Sequence, residues 1–521
     1  MSDPRLSFGP ELAGSASGSA VDALDSLEVV VKVGTGIDPT ATTAVAALVS
    51  MLIRLFPHTS LSNDAAVGPN PWGVRRLSEL QAALRSVIPR APCPPEARFV
   101  IGVGAQVSGA DIWIGGGDWT VRLARRPQVV EACRIAVGLH AASAQAVAEA
   151  MKVALGPLGL IHVPLGDELV WNLLDYRLGP APVVDLAREL SSQVVFFGAG
   201  SVGSSTVGVA TCIPGLTGTA VVVDPDSFDP KQNPYRYPAS LGTETGPKAM
   251  WLLGLLKKAG WSATGFVGRV GQWVAAQPTP GIEGVVVSSV DTVAGRLEVT
   301  DALARTNLTL GVGGLALHLQ REHHDDELAC PFCQFVSLDP PMSQIQARAA
   351  ATGLPVERVA QLELRNEMLT AEDVAVAVST GKVHPEQGAE LVGRRIDDLL
   401  RRAYAEAPVP VAGGYAQVSA PYVSQMAGVL ATGELVKAAA GLPLVDRRVD
   451  LDLSGMPLGV VSRRPRDVTG RCVCSSGLRR RWAAKLYGEP WTTPDPLTKS
   501  SLLDFEPATP TPGERSTAPT G

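Results

Sequence analysis

Short runs of β-branched and apolar residues alternate along this chain with longer segments in which apolar residues recur every three or four positions. The first pattern predicts strands and the second predicts amphipathic helices. In the first third of the chain, strands are predicted at residues 27–33, 99–103, 110–114 and 120–123, and helices at residues 42–56, 73–87 and 145–155. We interpret residues 26–165 as an N-terminal α/β accessory domain. No internal repeat is evident.

The pattern is sharpest between residues 193 and 248. An apolar run at 194–197 leads directly into Gly198-Ala199-Gly200-Ser201-Val202-Gly203, a segment of small residues follows, and a second apolar run ends at Asp224. Strand, glycine turn, helix, strand and acid predict the first βαβ unit of a Rossmann-like nucleotide-binding sheet. Gly198 would permit the tight turn, Gly200 would let the backbone approach a phosphate, and Gly203 would let the helix pack on the strand.

Later segments extend this α/β pattern and then interrupt it. Strands predicted at 285–290 and 308–312 continue the sheet, whereas residues 338–405 carry charged, alanine-rich helical segments. We therefore assign residues 166–486 to one nucleotide-binding domain with a helical insertion at 338–405.

The ends and the linker differ in composition from these domains. A helix-forming linker is predicted at 167–190. Residues 1–25 are rich in Gly, Ser and Ala, and residues 487–521 are rich in Pro and Thr. Both ends are therefore predicted to be disordered.

Composition narrows the class of protein. The chain has 521 residues, of which 45% are hydrophobic and 18% charged, with a net charge of −6. That balance is typical of a globular protein and argues against a nucleic-acid partner. No segment has the length and continuity of a membrane span, and the N-terminus lacks the pattern of a secretory signal. We expect a cytoplasmic protein with no membrane partner.

An ordered set of polar residues follows the glycine turn. Asp224-Pro225-Asp226 ends the second strand, Asn233-Pro234-Tyr235-Arg236 comes next, Lys248 follows Gly246-Pro247, and Asp291 and Arg296 follow the strand at 285–290. Together with the turn, this set resembles the ThiF/MoeB/HesA-type adenylyltransferases, prokaryotic relatives of the ubiquitin-activating enzymes. The resemblance covers residues 190–337 and 405–476.

The resemblance implies a role for each residue. Asp224, with Asp226 nearby, would hold the ribose of ATP, and Asn233, Arg236 and Lys248 would neutralise the triphosphate as pyrophosphate leaves. Asp291 would hold Mg²⁺, which prefers hard oxygen ligands. The plainer alternatives are surface charges for Arg236 and Lys248 and a helix N-cap for Asp291. Arg296 is as compatible with a structural role. Arg177 and Arg188 are the candidates for an arginine supplied from a partner subunit.

Four of the seven cysteines form two close pairs, Cys330 with Cys333 and Cys472 with Cys474. In a cytosolic chain such pairs favour a metal over a disulfide. The resemblance implies that the four thiolates form a structural Zn²⁺ site, although the second pair is Cys-x-Cys where the family has Cys-x-x-Cys.

The resemblance predicts an ATP- and Mg²⁺-dependent adenylyltransferase that activates the C-terminal carboxylate of a small ubiquitin-like or sulfur-carrier protein, or of a precursor peptide. It also implies a homodimer. No cysteine lies between Cys333 and Cys472, so a thioester-forming nucleophile is not evident. Two alternatives stay open: an NAD(P)-dependent oxidoreductase that uses the same glycine turn, and a non-catalytic scaffold of a peptide-modifying assembly.

Overall fold

The structure is a computed structural model. It describes residues 17–89, 91, 93–158, 167–186, 190–230, 233–313, 315–323, 329–330, 332–333, 344–365, 367–383, 385–396, 398–400, 410–411, 414–415, 420–445, 448–453, 461–462, 466–467 and 470–488.

The first unit, residues 17–172, is built on a six-stranded sheet with the order β2-β1-β3-β4-β5-β6. Its strands are β1 (Leu27–Val33), β2 (His58–Leu61), β3 (Ala97–Val103), β4 (Ile112–Gly116), β5 (Thr120–Ala124) and β6 (Glu168–Asn172). The first four run parallel, and β5 and β6 are antiparallel to their neighbours. Its helices are α1 (Ser17–Ser26), α2 (Pro39–Leu55), α3 (Leu77–Arg85) and α4 (Val137–Leu155).

The second unit, residues 190–487, is built on an eight-stranded sheet with the order β16-β15-β12-β11-β10-β7-β8-β9. Its strands are β7 (Leu190–Phe197), β8 (Leu216–Asp224), β9 (Ser262–Val267), β10 (Ile282–Ser288), β11 (Ala304–Gly313), β12 (Ala316–His323), β15 (Arg448–Asp452) and β16 (Val461–Ser462). Five adjacent strands run parallel, in the order β9, β8, β7, β10 and β11 across the sheet. Strands β12, β15 and β16 pair antiparallel with their neighbours.

Helices cover this sheet and form the insertion. Those of the sheet are α5 (Ser201–Ala210), α6 (Asn233–Arg236), α7 (Lys248–Lys258), α8 (Val270–Ala275), α9 (Val293–Asp301), α14 (Pro421–Ala439) and α15 (Gly477–Tyr487). The insertion contains α10 (Gln344–Thr352), α11 (Val356–Leu364), α12 (Ala371–Ser379) and α13 (Pro385–Gly388), and a short hairpin of β13 (Pro410–Val411) and β14 (Gly414–Tyr415) follows. Short 3₁₀ helices lie at Gly156–Leu158, Ala389–Leu391 and Val473–Ser475.

The two sheets repeat one topology. The order β2-β1-β3-β4-β5-β6 of the first matches β8-β7-β10-β11-β12-β15 of the second, strand for strand and direction for direction. In each unit one long helix, α4 or α14, joins the last two of these strands. The expectation of no internal repeat is therefore wrong. The repeat lies in the backbone topology, which a search for matching letters does not detect.

One continuous hydrophobic core joins the units. It contains Leu48 and Leu52 of α2, Val147 of α4, Phe196 of β7 and Leu430 of α14. The insertion has a separate small core that includes Val359, Leu362, Ala377 and Leu399. Burial of apolar surface holds the two units together as one body, because their helices share that core.

The predicted fold class, an α/β protein with a Rossmann-like sheet, an N-terminal α/β unit and a helical insertion, is confirmed. Three local predictions need correction. Residues 17–25 belong to α1, with Ala20 and Leu24 buried, although they were assigned to a disordered end. The predicted helical linker begins instead as β6, so the first sheet extends past the predicted boundary at 165. Tyr487, the first residue of the predicted disordered tail at 487–521, likewise belongs to a helix, because it ends α15. The rest of the predicted disordered ends, residues 1–16 and 489–521, lies outside the described residues.

Candidate functional site

The candidate site lies where β7, β8 and β10 end. After β7 the chain builds β8 and β9 on one side and then returns to place β10 on the other side of β7. This reversal leaves a crevice at the carboxyl ends of the strands, which is the usual ligand position in open α/β sheets. The glycine turn, Asp224 and Asp291 all follow these strand ends.

The glycine turn is packed too tightly for side chains at two positions. Gly198 has a φ of +99°, and a Cβ there would stand 2.7 Å from the Ser289 Oγ. A Cβ at Gly203 would stand 2.0 Å from the Gly198 carbonyl oxygen. A Cβ at Gly200, in contrast, would meet nothing within 4 Å. The turn therefore packs closely on the sheet but leaves open space in front of α5 for a ligand to approach the backbone.

Asp224 is buried at the end of β8 and braces the turn. Its Oδ2 accepts a hydrogen bond from the Ala199 backbone N at 2.6 Å, and its Oδ1 accepts one from the Asp226 backbone N at 2.8 Å. Burial raises the pKa of this carboxyl, and the two backbone hydrogen bonds oppose that rise. Each carboxylate oxygen keeps a further lone pair, so the same group can still accept from a ribose hydroxyl.

Lys248 sits at the start of α7 and faces the same acids. Its Nζ lies 3.1 Å from the Asp226 Oδ2, with 14% of the lysine side chain exposed against 65% of the aspartate. Burial by itself would lower the pKa of Lys248, but the Tyr237 hydroxyl and Asp226 outweigh it, so the pKa is raised. The lysine is therefore a fixed positive charge at neutral pH.

The short helix α6 carries Asn233 and Arg236. Asn233 is buried, and within the described part of the chain its Nδ2 has no hydrogen-bond partner. A buried donor in that state is rare in folded proteins. Arg236 is half-buried. Burial lowers its pKa, whereas Asp229 and Asp291 draw the value back up. The Ser201 Oγ donates to the Arg236 carbonyl oxygen at 2.6 Å and so ties α6 to the first turn of α5.

Asp291 lies exposed between β10 and α9, near enough to Arg236 for their charges to interact. The helix N-cap is Thr292, whose side chain accepts from the Gly295 backbone N at 3.1 Å, so Asp291 does not cap the helix. Arg296 is buried in α9, where its charge acts on Glu322. That position supports the structural role for Arg296.

The structure thus brings together around one turn all of the predicted ATP-site residues: Gly198, Gly200, Gly203, Asp224, Asp226, Asn233, Arg236, Lys248 and Asp291. Arg177 is exposed and lies 3.7 Å from Asp175, and Arg188 lies outside the described residues. Sequence reasoning missed Tyr237 and Ser289. Tyr237 packs against Phe228 and Trp251 and influences Lys248, and Ser289 donates to the Gly198 carbonyl oxygen at 3.2 Å. The position of Tyr237 directly after Asn-x-x-Arg was the available signal.

The two cysteine pairs meet in space, although about 140 residues separate them in sequence. Their sulfur atoms lie within 4.8 Å of one another, with Cys330–Cys472 and Cys333–Cys472 at 3.5 Å, Cys330–Cys333 at 3.8 Å and Cys333–Cys474 at 3.4 Å. Four thiolates about 2.3 Å from a tetrahedral Zn²⁺ would stand roughly 3.8 Å apart. The cluster can therefore hold one such ion. The Cys-x-Cys spacing is accommodated because a 3₁₀ turn begins directly after Cys472.

No family model matches this chain. An uncharacterized protein, y4jF of Sinorhizobium fredii, is 26% identical over an alignment of 468 residues that covers 83% of this chain and 87% of that protein. Among solved structures, Escherichia coli MccB is similar at 13% identity and a TM-score of 0.33, over 55% of this chain and 65% of MccB, just under two thirds of its length. MccB with ATP gives 12% identity and a TM-score of 0.32, over 55% of this chain and 67% of that one. At this level the likeness does not identify an activity.

Proposed function

We propose that the chain is an ATP- and Mg²⁺-dependent adenylyltransferase. It activates the C-terminal carboxylate of a small ubiquitin-like or sulfur-carrier protein, or of a precursor peptide, as an acyl adenylate. The observation that carries the proposal is the ring of charge around the glycine turn. Lys248 held by Asp226, the half-buried Arg236 and the buried amide of Asn233 would face a bound polyphosphate.

The residues divide the chemistry among themselves. The open N-terminus of α5 and the backbone at Gly200 receive phosphate oxygens, while Asp224 receives the ribose. Attack of the carboxylate on the α-phosphorus expels pyrophosphate, and negative charge grows on the leaving group. Arg236, Lys248 and Asn233 stabilise that charge because they are fixed in place before the reaction.

A metal ion fits the acidic side of this site. Mg²⁺ is commonly bound through one or two carboxylates together with substrate phosphates, and Asp291 is exposed beside Arg236. Asp291 would hold the ion, which would supply additional positive charge at the phosphates. The cysteine cluster is proposed to hold a structural Zn²⁺ that ties the segment around Cys330 to the segment around Cys472.

The acyl group is proposed to leave for a nucleophile outside this chain. No cysteine lies between Cys333 and Cys472. Cys212 is buried, and burial raises its pKa to about 12. Burial and the neighbouring Asp118 and Asp38 also raise the pKa of Cys133. Such thiols are poor nucleophiles at neutral pH, because only the thiolate attacks.

The substrate class has two candidates. E. coli MccB has been solved in complex with N-formylated MccA and with ATP. Both a precursor peptide and a small carrier protein are therefore tested as substrates. The homodimer implied by the sequence resemblance stays a prediction.

ATP–pyrophosphate exchange tests the proposal. Purified full-length protein is given Mg-ATP, labelled pyrophosphate and, in turn, each short peptide or small protein encoded beside its gene. Label should enter ATP only when the correct carboxylate is present, and Lys248→Met should reduce the signal about 10²- to 10³-fold. Tight binding of NADH or NADPH without ATP binding would establish the oxidoreductase alternative. Normal biological activity of Asp291→Ala would favour the scaffold.

A further inference from the structure

The two units face each other through equivalent elements. Helix α4 of the first unit packs along α14 of the second, and each of these helices also packs on the helix that follows its own glycine turn, α2 or α5. Contact between equivalent surfaces is the geometry of a two-fold symmetric dimer. One chain therefore contains an arrangement that other proteins build from two copies.

The first unit has the same Gly-x-Gly sequence after its first strand, but one of its own acids occupies the phosphate position. Gly34-Thr35-Gly36 follows β1, as Gly198-Ala199-Gly200 follows β7. Asp38 then caps α2, and its carboxylate accepts from the Ala41 backbone N at 2.9 Å and the Cys133 backbone N at 3.2 Å. A negative side chain thus occupies the end of the helix where a phosphate would bind.

The acidic residue that follows β2, Asp64, is also engaged by groups of the first unit. Asp64 lies 2.5 Å from Arg76 and accepts from the Ser78 backbone N at 3.0 Å. In the second unit the N-cap of α5 is Gly200, with no side-chain cap. The first unit thus has the same fold, but its own carboxylate accepts the hydrogen bonds of the backbone donors at the turn.

What the first unit does instead is visible at the loop between Arg236 and Lys248. Two of its side chains converge on one carbonyl oxygen of that loop. The Ser50 Oγ donates to the Pro238 oxygen at 2.6 Å, and the Trp72 Nε1 donates to the same oxygen at 2.9 Å.

A third side chain holds the next turn of the loop. The Arg54 guanidinium is fully buried, donates to the Ser240 carbonyl oxygen and donates to the Ser50 Oγ at 2.7 Å. Glu244, whose charge acts on Arg54, accepts from the backbone N of Leu241 at 2.8 Å and of Gly242 at 2.9 Å. The loop is therefore fixed from the first unit at the carbonyl oxygens of Pro238 and Ser240.

We infer that Ser50, Arg54 and Trp72 of the first unit clamp the loop between Arg236 and Lys248 and thereby position the phosphate-binding residues of the second unit. The phosphate-binding role of Arg236 and Lys248 rests on the proposed function, whereas the hydrogen bonds of the clamp do not. Arg236 and Lys248 lie at the two ends of the clamped segment. A displacement of that segment therefore moves both cationic side chains.

Trp72→Phe tests the clamp, because it removes one donor and keeps the ring. The matched control is Trp119→Phe, a buried tryptophan of the same unit whose Nε1 has no partner in the described part of the chain. In the ligand-free protein, amide hydrogen exchange across residues 237–244 should become about three- to tenfold faster in Trp72→Phe and stay unchanged in Trp119→Phe. Equal behaviour of the two variants would overturn the clamp.

Kinetics supply the second readout. Trp72→Phe should raise KM for ATP about three- to tenfold, whereas partial unfolding would lower kcat alone. If the wild type shows no exchange with any carboxylate, the proposed function fails, and hydrogen exchange still decides the clamp.

Discussion

The first and second units have the same six-strand order and the same Gly-x-Gly turn, yet they differ at the residue that begins the following helix. That residue is Asp38 in the first unit and Gly200 in the second. A carboxylate at a helix N-terminus satisfies the donors that would otherwise bind an anion. The difference teaches that this fold provides a place for a nucleotide, and that a few side chains decide whether the place is open.

The helices through which the units meet show the same contrast on a smaller scale. Each carries Glu-x-x-Lys at buried positions, Glu149 with Lys152 in α4 and Glu434 with Lys437 in α14. In α14 the pair is fully enclosed, and Tyr176 of the segment after β6 donates to Glu434 at 2.6 Å. The repeated motif supports a common origin of the two units.

The largest expected effect compares a cysteine of the metal cluster in the second unit with a cysteine of the first unit. Cys472→Ser should leave the protein without its zinc and lower the free energy of unfolding by more than about 4 kcal/mol, because a structural zinc site contributes directly to folding. Zinc content by mass spectrometry and thermal unfolding check this. Cys93→Ser, at an exposed cysteine of the first unit, should keep one zinc per chain. Equal zinc content in both variants would refute the site.

The second effect compares one lysine from each unit. Lys248→Met should reduce ATP–pyrophosphate exchange about 10²- to 10³-fold, since a preorganised charge on the leaving group is lost. Lys32→Met is the control, because the Lys32 Nζ donates to the backbone oxygens of Ser108 at 3.0 Å and Gly109 at 3.2 Å in the closed unit. It should leave the exchange rate unchanged. A comparable loss in Lys32→Met would mean that both units take part in the chemistry.

The third effect compares the two buried ion pairs. Lys437→Met leaves Glu434 and its charge enclosed, and should cost about 3–5 kcal/mol of unfolding free energy. Lys152→Met should cost less, roughly 2 kcal/mol, because 6% of that lysine side chain reaches solvent against none for Lys437. Urea unfolding of the two variants measures the difference. The reverse order would contradict the burial argument.

The smallest effect concerns acid sensitivity. Nine residues before the glutamate, α4 has His140 and α14 has Gln425. Burial lowers the pKa of His140 to about 3, so the folded protein keeps it neutral while the unfolded chain protonates it near pH 6.5. Its contribution to stability is complete above pH 6.5 and is lost as the pH falls, by about 1.4 kcal/mol per pH unit.

His140→Gln, which installs the residue of the second unit, should remove that part of the pH dependence. Between pH 6.5 and 5.5 the wild type should lose about 1 kcal/mol more of its unfolding free energy than the variant. Unfolding curves at the two pH values measure this. Parallel loss in both proteins would show that His140 is protonated in the folded state.

Much of the site could be predicted from the sequence, because its residues lie at the ends of strands with a strong apolar pattern. Asp224 follows β8 directly, and parallel strands bring their ends to one edge of the sheet. The cysteine pairs were also visible, since two close spacings suggest one metal. Whether the two pairs come together in space, however, depends on the path of the chain across the insertion.

Other features depend on contacts that are distant in sequence. Strand β6 has five residues, and its pairing with β5 decides its structure rather than any local propensity. The clamp on Pro238 joins residues 166 and 188 positions apart. The repeat was hidden because topology persists while side chains change, as at Asp38.

Counting nucleotides per chain tests the central claim most directly. Isothermal titration of the full-length protein with Mg-ATP, together with its mass in solution, should give one ATP per 54.4 kDa chain. Lys248→Met should weaken that single binding event, and Lys32→Met should not. Two ATP molecules per chain, or one site left intact in Lys248→Met, would contradict an account in which only the second unit binds nucleotide.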